Sequence, residues 1–344
     1  MGDLDYVARL NLVRRRPGMY FGDVEEGVKP LIFELVANAM DQYLLGQATR
    51  VDVEFSGDRV IVSDDGPGLP FDEDGEDPED GEDTEDAKDT VSLATRFLTH
   101  LHSSATADSH APHVHLLSSV GVGLAAVNAV SSSLVCTSWR GGYRWRQEFR
   151  RGVPEGPPEK IKDTSSRGTI IEVVPDPDIW PPMEHGHLAV RSGLFLAAHL
   201  VPGFRIGLNE ERFHSPTGLA ALVHILLPPT PEARRQPPMP FSLHTKVDDV
   251  ELQLAVLGQA ETTRWHTWVN GVPTRERGSD RVGLEKAFSR AGWTPAIVAC
   301  HLVMHDPQYA GPTRDQLVIP TLSPLLQDVL RKPLSDYLKS SPFE

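Results

Sequence analysis

Residues 34–46, ELVANAMDQYLLG, decide how the N-terminal half of the chain is read. From Lys29 to Leu45 the apolar side chains Leu31, Ile32, Leu35, Val36, Met40, Tyr43 and Leu44 recur at helical spacing, and Gly46 follows as a stop. This pattern predicts a buried helix. Within it Glu34, Asn38 and Asp41 stand at i, i+4 and i+7, so all three project from one face. Two carboxylates and an amide on a largely apolar helix are costly unless each finds a partner. Two readings follow. Either the helix is amphipathic with this polar side in solvent, or the three residues form a site with a base, a metal-binding amide and a supporting acid.

Outward from the helix, RVDVEFSGDRVIVSDDG (50–66) reads as two alternating strands around a Ser-Gly-Asp turn, the chemistry of a hairpin. It ends in Asp64, Asp65, Gly66 and Gly68. Glycine there permits close backbone approach, and an aspartate can accept from an amino group, although such a turn is by itself structural. DTVSLATRFLTHLH (89–102) has a helical pattern, and GVGLAAVNAVSS (121–132) opens on Gly121 and Gly123 before an apolar helical body. Backbone N–H groups at such a start hold anionic phosphate, but a lone Gly-x-Gly is a weak signal. Strands follow at SLVCTSWR, YRWRQEFRR and TIIEVVP, giving an α+β layer of helices on an antiparallel sheet. Near residues 204–216 the strand FRIGL gives way to NEERFHSP, read as the passage to a second domain. Beyond it come the helix TGLAALVHILL, strands at FSLHTKV, VELQLAVLG and RWHTWVNGV, the helix GLEKAFSRAG, the strand AIVACHLVMH and a C-terminal helix in SPLLQDVLRKPLSDYL.

With 344 residues, two domains are expected. The formal charge of −15 is mostly one segment: residues 72–89 carry twelve Asp or Glu against Lys88 alone. That run cannot bury enough apolar surface to order itself, and it makes the rest of the chain only weakly acidic. Cys136 and Cys300 stand alone without a Cys-x-x-Cys, which fits a reducing, cytoplasmic setting. No stretch has the length and apolarity of a signal peptide or membrane span. His100, His102, His110, His113 and His115 include two His-x-His pairs. No cysteine or firm acid completes a metal set, so they read as a polar, histidine-rich loop.

The blocks VRRRPGMYFGD (13–23), ELVANAMDQYLLG (34–46), DDGPGLP (64–70), GVGLAAVNAVS (121–131), RGGYRWRQEFRRGVP (140–154) and RGTIIEVVP (167–175) resemble, in order and spacing, the ATPase region of gyrase B and topoisomerase IV, in the GHKL ATPase class. WVNGVPTRERGSD (268–280) and DPQYAGPTRDQLV (306–318) continue the likeness into the family's transducer. The resemblance implies a GHKL (Bergerat) sandwich of a mixed, mainly antiparallel sheet under helices over residues 1–215, with an acidic disordered insertion at 71–90 and an ATP lid at 104–123. A smaller α+β transducer domain, of a fold shared with a small-subunit ribosomal protein, would occupy 216–344. ATP and Mg2+ would be the cofactors. Glu34 would be the general base, Asn38 the Mg2+ ligand and Asp41 a supporting acid. Asp64 would read the adenine amino group, with Gly68 and Thr169 lining the base pocket. Gly121, Val122 and Gly123 would supply phosphate-binding amides, Arg140 would stand at the pocket mouth, and Arg314 would reach the γ-phosphate.

The departures are as informative. The family's glutamate after the Asn-x-x-Asp acid pairs with an arginine in its Asp-Asp-Gly-Arg-Gly turn; here those positions are Gln42 and Pro67. The lid reads HVHLLSSVGVG, with Ser118 at a glycine position and no lysine, and the Gln-Thr-Lys loop reads Pro312, Thr313, Arg314. Arginine keeps the charge in altered geometry. Three functions are consistent with this. One is an ATP-hydrolysing module, dimerising with nucleotide and switching a protein partner. The others are a nucleotide-binding regulator with little turnover, and the energy subunit of a split type II topoisomerase. With the chain stopping where the transducer would end, no DNA cleavage is expected of it alone. DNA contact through the arginines within 13–16 and 144–151 is the reading the acidic run counts against.

Overall fold

The computed structural model describes residues 3–73, 91–101, 122–163, 166–183, 186–227 and 238–340. They fall into two compact units, one of residues up to 195 with 204–213, the other of 196–203 with 214 onward.

The first unit begins with helices α1 (Asp3–Arg15), α2 (Gly18–Phe21) and α3 (Lys29–Leu44). Pro30 sits in the first turn of α3, where its missing N–H leaves nothing unpaired. Strands β1 (Arg50–Ser56) and β2 (Arg59–Asp64) follow as the expected antiparallel hairpin. Then come α4 (Leu93–Thr99), α5 (Gly123–Ala129), β3 (Ser131–Arg140), β4 (Tyr143–Arg150), β5 (Val153–Pro154), β6 (Glu159–Lys162), β7 (Gly168–Pro175), α6 (Gly186–Leu200), β8 (Arg205–Leu208) and β9 (Glu211–His214). The last turn of α6 belongs to the second unit. The sheet runs β5-β4-β3-β7-β2-β1-β8-β9, with β6 also on β4. From β5 to β1 every neighbouring pair is antiparallel, as is β6 with β4, whereas β1 and β8 run parallel. Alternate residues Val51, Val53, Val60, Val62, Leu134, Cys136, Ile171 and Val173 are buried, the period of two that turns one sheet face toward the helices. Helices α3 and α5 pack on that sheet and on each other, and α1 and α4 pack on α5.

The second unit contains α7 (Leu219–Leu226), β10 (Phe241–Val247), β11 (Val250–Leu257), β12 (Arg264–Val269), β13 (Val272–Pro273), α8 (Ser279–Arg290), β14 (Ile297–Met304) and α9 (Leu322–Ser340). Its sheet order is β10-β11-β14-β12-β13, with β12 and β14 parallel. Leu252, Leu254, Val256, Val298, Cys300 and Leu302 form a core with Leu284, Phe288, Leu326 and Leu330 of α8 and α9. Residues of the opposite parity, Gln253 and His301, are cross-strand partners, on strands against which α7 packs. His301 is fully buried. Its Nε2 accepts from the Gly271 N–H at 3.1 Å and its Nδ1 donates to the Leu200 carbonyl at 3.0 Å. Burial lowers its pKa to about 4. Asn270 and Gly271 both take left-handed backbone angles, φ 48° and 76°, as a tight Asn-Gly hairpin turn requires.

Several expectations change here. The polar face of α3 is not in solvent: Glu34 and Asp41 are each 5% exposed. NEERFHSP, read as a passage between domains, is where the two units divide, after Phe213, and it also contributes the edge strand β9, with Asn209 supplying the left-handed turn residue at φ 49°. Arg14 is no part of an open basic patch. It donates to the fully buried Asp176 at 2.6 Å and to the Ala129 carbonyl at 2.7 Å, a paired charge holding the end of α5 to the end of β7. The acidic run from 74 to 90 and most of the lid, including Gly121, lie outside the described residues.

Candidate functional site

Helix α3, the turn after β2, the start of β7 and the start of α5 position the first unit's candidate residues. Glu34 accepts a hydrogen bond from the Gly123 N–H at 3.1 Å. The carboxylate expected to act as a base and the first amide of α5 thus meet at one point, 89 residues apart in sequence. One turn further along α3, Asn38 donates its Nδ2 to the Glu34 carbonyl at 3.0 Å. This fixes the amide so that its oxygen is the acceptor left over. Asp41, the third member of the face, is buried on the same helix.

Asp64 ends β2 and faces Thr169 across the ladder to β7. Burial raises its pKa from 3.8 to about 6; the amides of Gly66 and Thr169 and the Arg167 guanidinium pull it down, and the Asp65 charge adds to the rise. The Gly66 N–H reaches its Oδ1 at 2.7 Å. Two glycines make this arrangement sterically possible. A Cβ on Gly168, at φ +111°, would stand 2.0 Å from the Asp64 carbonyl oxygen, and one on Gly68, at φ +80°, would stand 2.4 Å from the Trp139 carbonyl oxygen. Neither position has room for a side chain, and L-residues rarely adopt such angles.

The turn is braced on every side. Asp65 accepts from the Thr49 and Arg50 backbone amides at 2.6 and 3.1 Å and from the Thr49 hydroxyl, which holds its carboxyl below the usual carboxylate range. Ser138 accepts from the Leu69 N–H at 2.7 Å. Arg140 donates Nε to Asp72 at 3.0 Å and Nη2 to Glu73, and its Nη1 lies 3.4 Å from the Gly68 carbonyl. The first two acids of the acidic run therefore hold the arginine expected at the pocket mouth.

Of the sequence candidates, Glu34, Asn38, Asp41, Asp64, Gly68, Val122, Gly123, Arg140 and Thr169 lie in the first unit. Arg314 lies in the second, in a left-handed conformation at φ 57°, with its guanidinium 5.9 Å from the Tyr309 ring centroid. Gly121 is outside the described residues. Sequence reasoning missed Ser138, Arg167 and the pairing of Asp72 and Glu73 with Arg140. Only Ser138 had a signal: it takes the inward position after Leu134 and Cys136 on β3, a polar residue where the alternation asks for an apolar one.

A divalent cation of the Mg2+ kind takes oxygen ligands, commonly one or two from protein with the remainder from phosphates and water. The remaining oxygen of Asn38 fits that demand. Among the described residues no group of three or more His, Cys, Asp or Glu side chains could hold a metal ion. His100 is stacked on Tyr6 with centroids 5.0 Å apart.

Solved structures superpose over nearly the whole chain. The topoisomerase IV ATP-binding domain of Francisella tularensis, in complex with a small-molecule inhibitor, matches at TM-score 0.75 and 22% identity, covering 97% of this chain and 92% of that one. The chain has the GHKL ATPase fold. The 43K ATPase domain of Thermus thermophilus gyrase B, in complex with an aminocoumarin, shares this fold at TM-score 0.74 and 24% identity, covering 97% of this chain and 90% of that one. In sequence the chain resembles the DNA gyrase B protein of Borrelia hermsii, 29% identical over 298 residues, 82% of this chain and 44% of the relative. It spans about half the length of the curated relatives it matches. No family model matches the chain. Among the described residues no helix is long and apolar enough to cross a membrane.

Proposed function

We propose that this GHKL chain binds ATP with Mg2+ and hydrolyses it, closing as a nucleotide-dependent dimer that switches a protein partner. The observation that carries the reading is the contact of the Gly123 N–H with the Glu34 carboxylate at 3.1 Å. An acid that orients water is useful only beside the phosphate it attacks, and backbone amides beside an acid are where phosphate oxygens would be met. Residues 1–215 would be the nucleotide-binding domain and 216–344 the transducer. Glu34 would hold the attacking water and take its proton, and Asp41 would support the polar face of α3. Asn38 would hold Mg2+, which supplies charge neutralisation of the phosphates when bound. Asp64, Gly68 and Thr169 would receive adenine, and Gly121, Val122 and Gly123 would donate amides. Arg140 would close the mouth, and Arg314 would offset charge developing on the γ-phosphate. The likeness to the Francisella and Thermus proteins, an ATP-binding domain and an ATPase domain, supports the reading.

A second reading, a nucleotide-binding regulator with little turnover, is favoured by the lid sequence HVHLLSSVGVG, which has Ser118 at a glycine position and no lysine. Turnover of ATP with Mg2+ separates the two. We expect wild-type hydrolysis to fall roughly 100-fold or more in Glu34→Ala, the scale of a lost general base, and to fall in Arg314→Ala with ATP affinity kept. Wild-type protein that binds ATP but turns over no faster than Glu34→Ala would establish the regulator instead. Failure to bind ATP would remove both readings.

A further inference from the structure

We propose that Arg167 is a positioning residue that locks the adenine-side turn to helix α3, a role resting on the ATP reading above. The Arg167 Nε donates to the Gly66 carbonyl at 2.9 Å, and its Nη2 donates to the Gln47 carbonyl. Gly66 belongs to the turn that carries Asp64 and Gly68. Gln47 belongs to the turn that closes α3, its own amide returning to the Gln42 carbonyl at 2.8 Å. One planar guanidinium thus joins the helix of Glu34, Asn38 and Asp41 to the turn of Asp64. It does so just past the C-terminal end of α3, the end whose dipole favours a cation.

The neighbouring residues Gln42 and Pro67 supply no ion pair across the same gap. Gln42 faces the turn, since a Cβ on Gly66 would lie 3.7 Å from the Gln42 Cβ. Gln42 has no charge, and Pro67 offers neither charge nor N–H, so those two positions cannot join helix to turn by an ion pair. Arg167 reaches the same two elements from the start of β7 and uses main-chain carbonyls as acceptors. Its place in the chain makes the lock short: the next residue, Gly168, is pressed so closely on the Asp64 carbonyl that no side chain fits there. A lysine could not reproduce the geometry, because a single ammonium lacks the fixed fork that spans two carbonyls.

The test uses the full chain with ATP and Mg2+. Arg167 is exposed, so Arg167→Met should leave the fold intact and weaken ATP binding by about fivefold, the scale of two partly screened hydrogen bonds to a charged group. The rate at saturating ATP should stay within about twofold, because Glu34 and Gly123 are untouched. Arg167→Lys should recover only part of the affinity. Adding Gln42→Glu with Pro67→Arg to Arg167→Met should restore it, since that pair would rejoin helix to turn by another route. Affinity unchanged in Arg167→Met would overturn the proposal, as would a loss the double substitution does not reverse. Absence of ATP binding by wild type would overturn the functional reading itself, an outcome distinguishable because it does not depend on Arg167.

Discussion

Asp64→Asn separates what the fold wants from what the proposed ligand wants. Holding a carboxyl at about 6 in place of 3.8 costs the folded chain about 3 kcal/mol at neutral pH, at 1.36 kcal/mol for each tenfold change in proton affinity. Allowing for the side chain's partial exposure reduces this to about 2 kcal/mol. Asparagine keeps an oxygen for the Gly66 N–H and carries no charge. The variant should therefore melt roughly 4–8 °C higher than wild type at pH 7.5, the range expected of about 2 kcal/mol in a unit of this size. The sign with pH is fixed. The folded form holds the proton more tightly than the unfolded one, so wild type gains stability as pH falls through 6, and the gap should close by about pH 4. ATP should reverse the order. Ligand stabilisation grows with the ratio of free ligand to Kd, and an amide offers the adenine amino group a weaker acceptor than a carboxylate. Thermal melts of both proteins at pH 7.5 and pH 5, with and without ATP and Mg2+, measure all of this. A variant no more stable than wild type at pH 7.5 would refute the burial argument. A variant shifted by ATP as far as wild type would refute the role of the carboxylate.

Two further outcomes follow from the packing. Gly168→Ala should lower the urea midpoint through a loss of about 3 kcal/mol or more, since its Cβ would overlap the Asp64 carbonyl at a backbone angle L-residues avoid; an unchanged midpoint would mean the strand end yields. His301, its pKa held at about 4 against an ordinary 6.5, gives stability that is intact above pH 6.5 and lost as pH falls toward 4, by up to about 3 kcal/mol. Chemical denaturation of wild type and His301→Gln across that window should show the loss in wild type alone, and parallel curves would contradict it.

The elements that bear the candidate site were legible because their patterns are local. The α3 periodicity, the β1–β2 turn chemistry and the alternation in β3 and β7 each lie within one short window. What the spacing of Glu34, Asn38 and Asp41 could not say was which way their face points, since i, i+4, i+7 suits solvent and cleft alike; the packing of α5 against α3 decides it. Helix α1 was not anticipated, although Val7, Leu10 and Val13 recur at spacing three; the exposed Leu12 and the arginines that follow blur the stripe. Helix α6 was not anticipated either, although GHLAVRSGLFLAAHL is apolar at helical spacing; Gly186 and Gly193 break the pattern. Arg167 left no trace because its acceptors are main-chain carbonyls, and a carbonyl looks the same at every position of a sequence.

The parallel pairing of β1 with β8 bears on how the first unit guards its sheet. Strand β1 presents its open side to Arg205–Leu208, which the chain reaches only after completing α6. A chain ending at Leu200 would keep every candidate residue of the first unit and yet leave the backbone of β1 unpaired along one edge, open to the same edge on another molecule. The short, charged β9, with Glu211 and Arg212, is then a cap: the last strand of this sheet in chain order stands at its edge and blunts it against pairing with another copy.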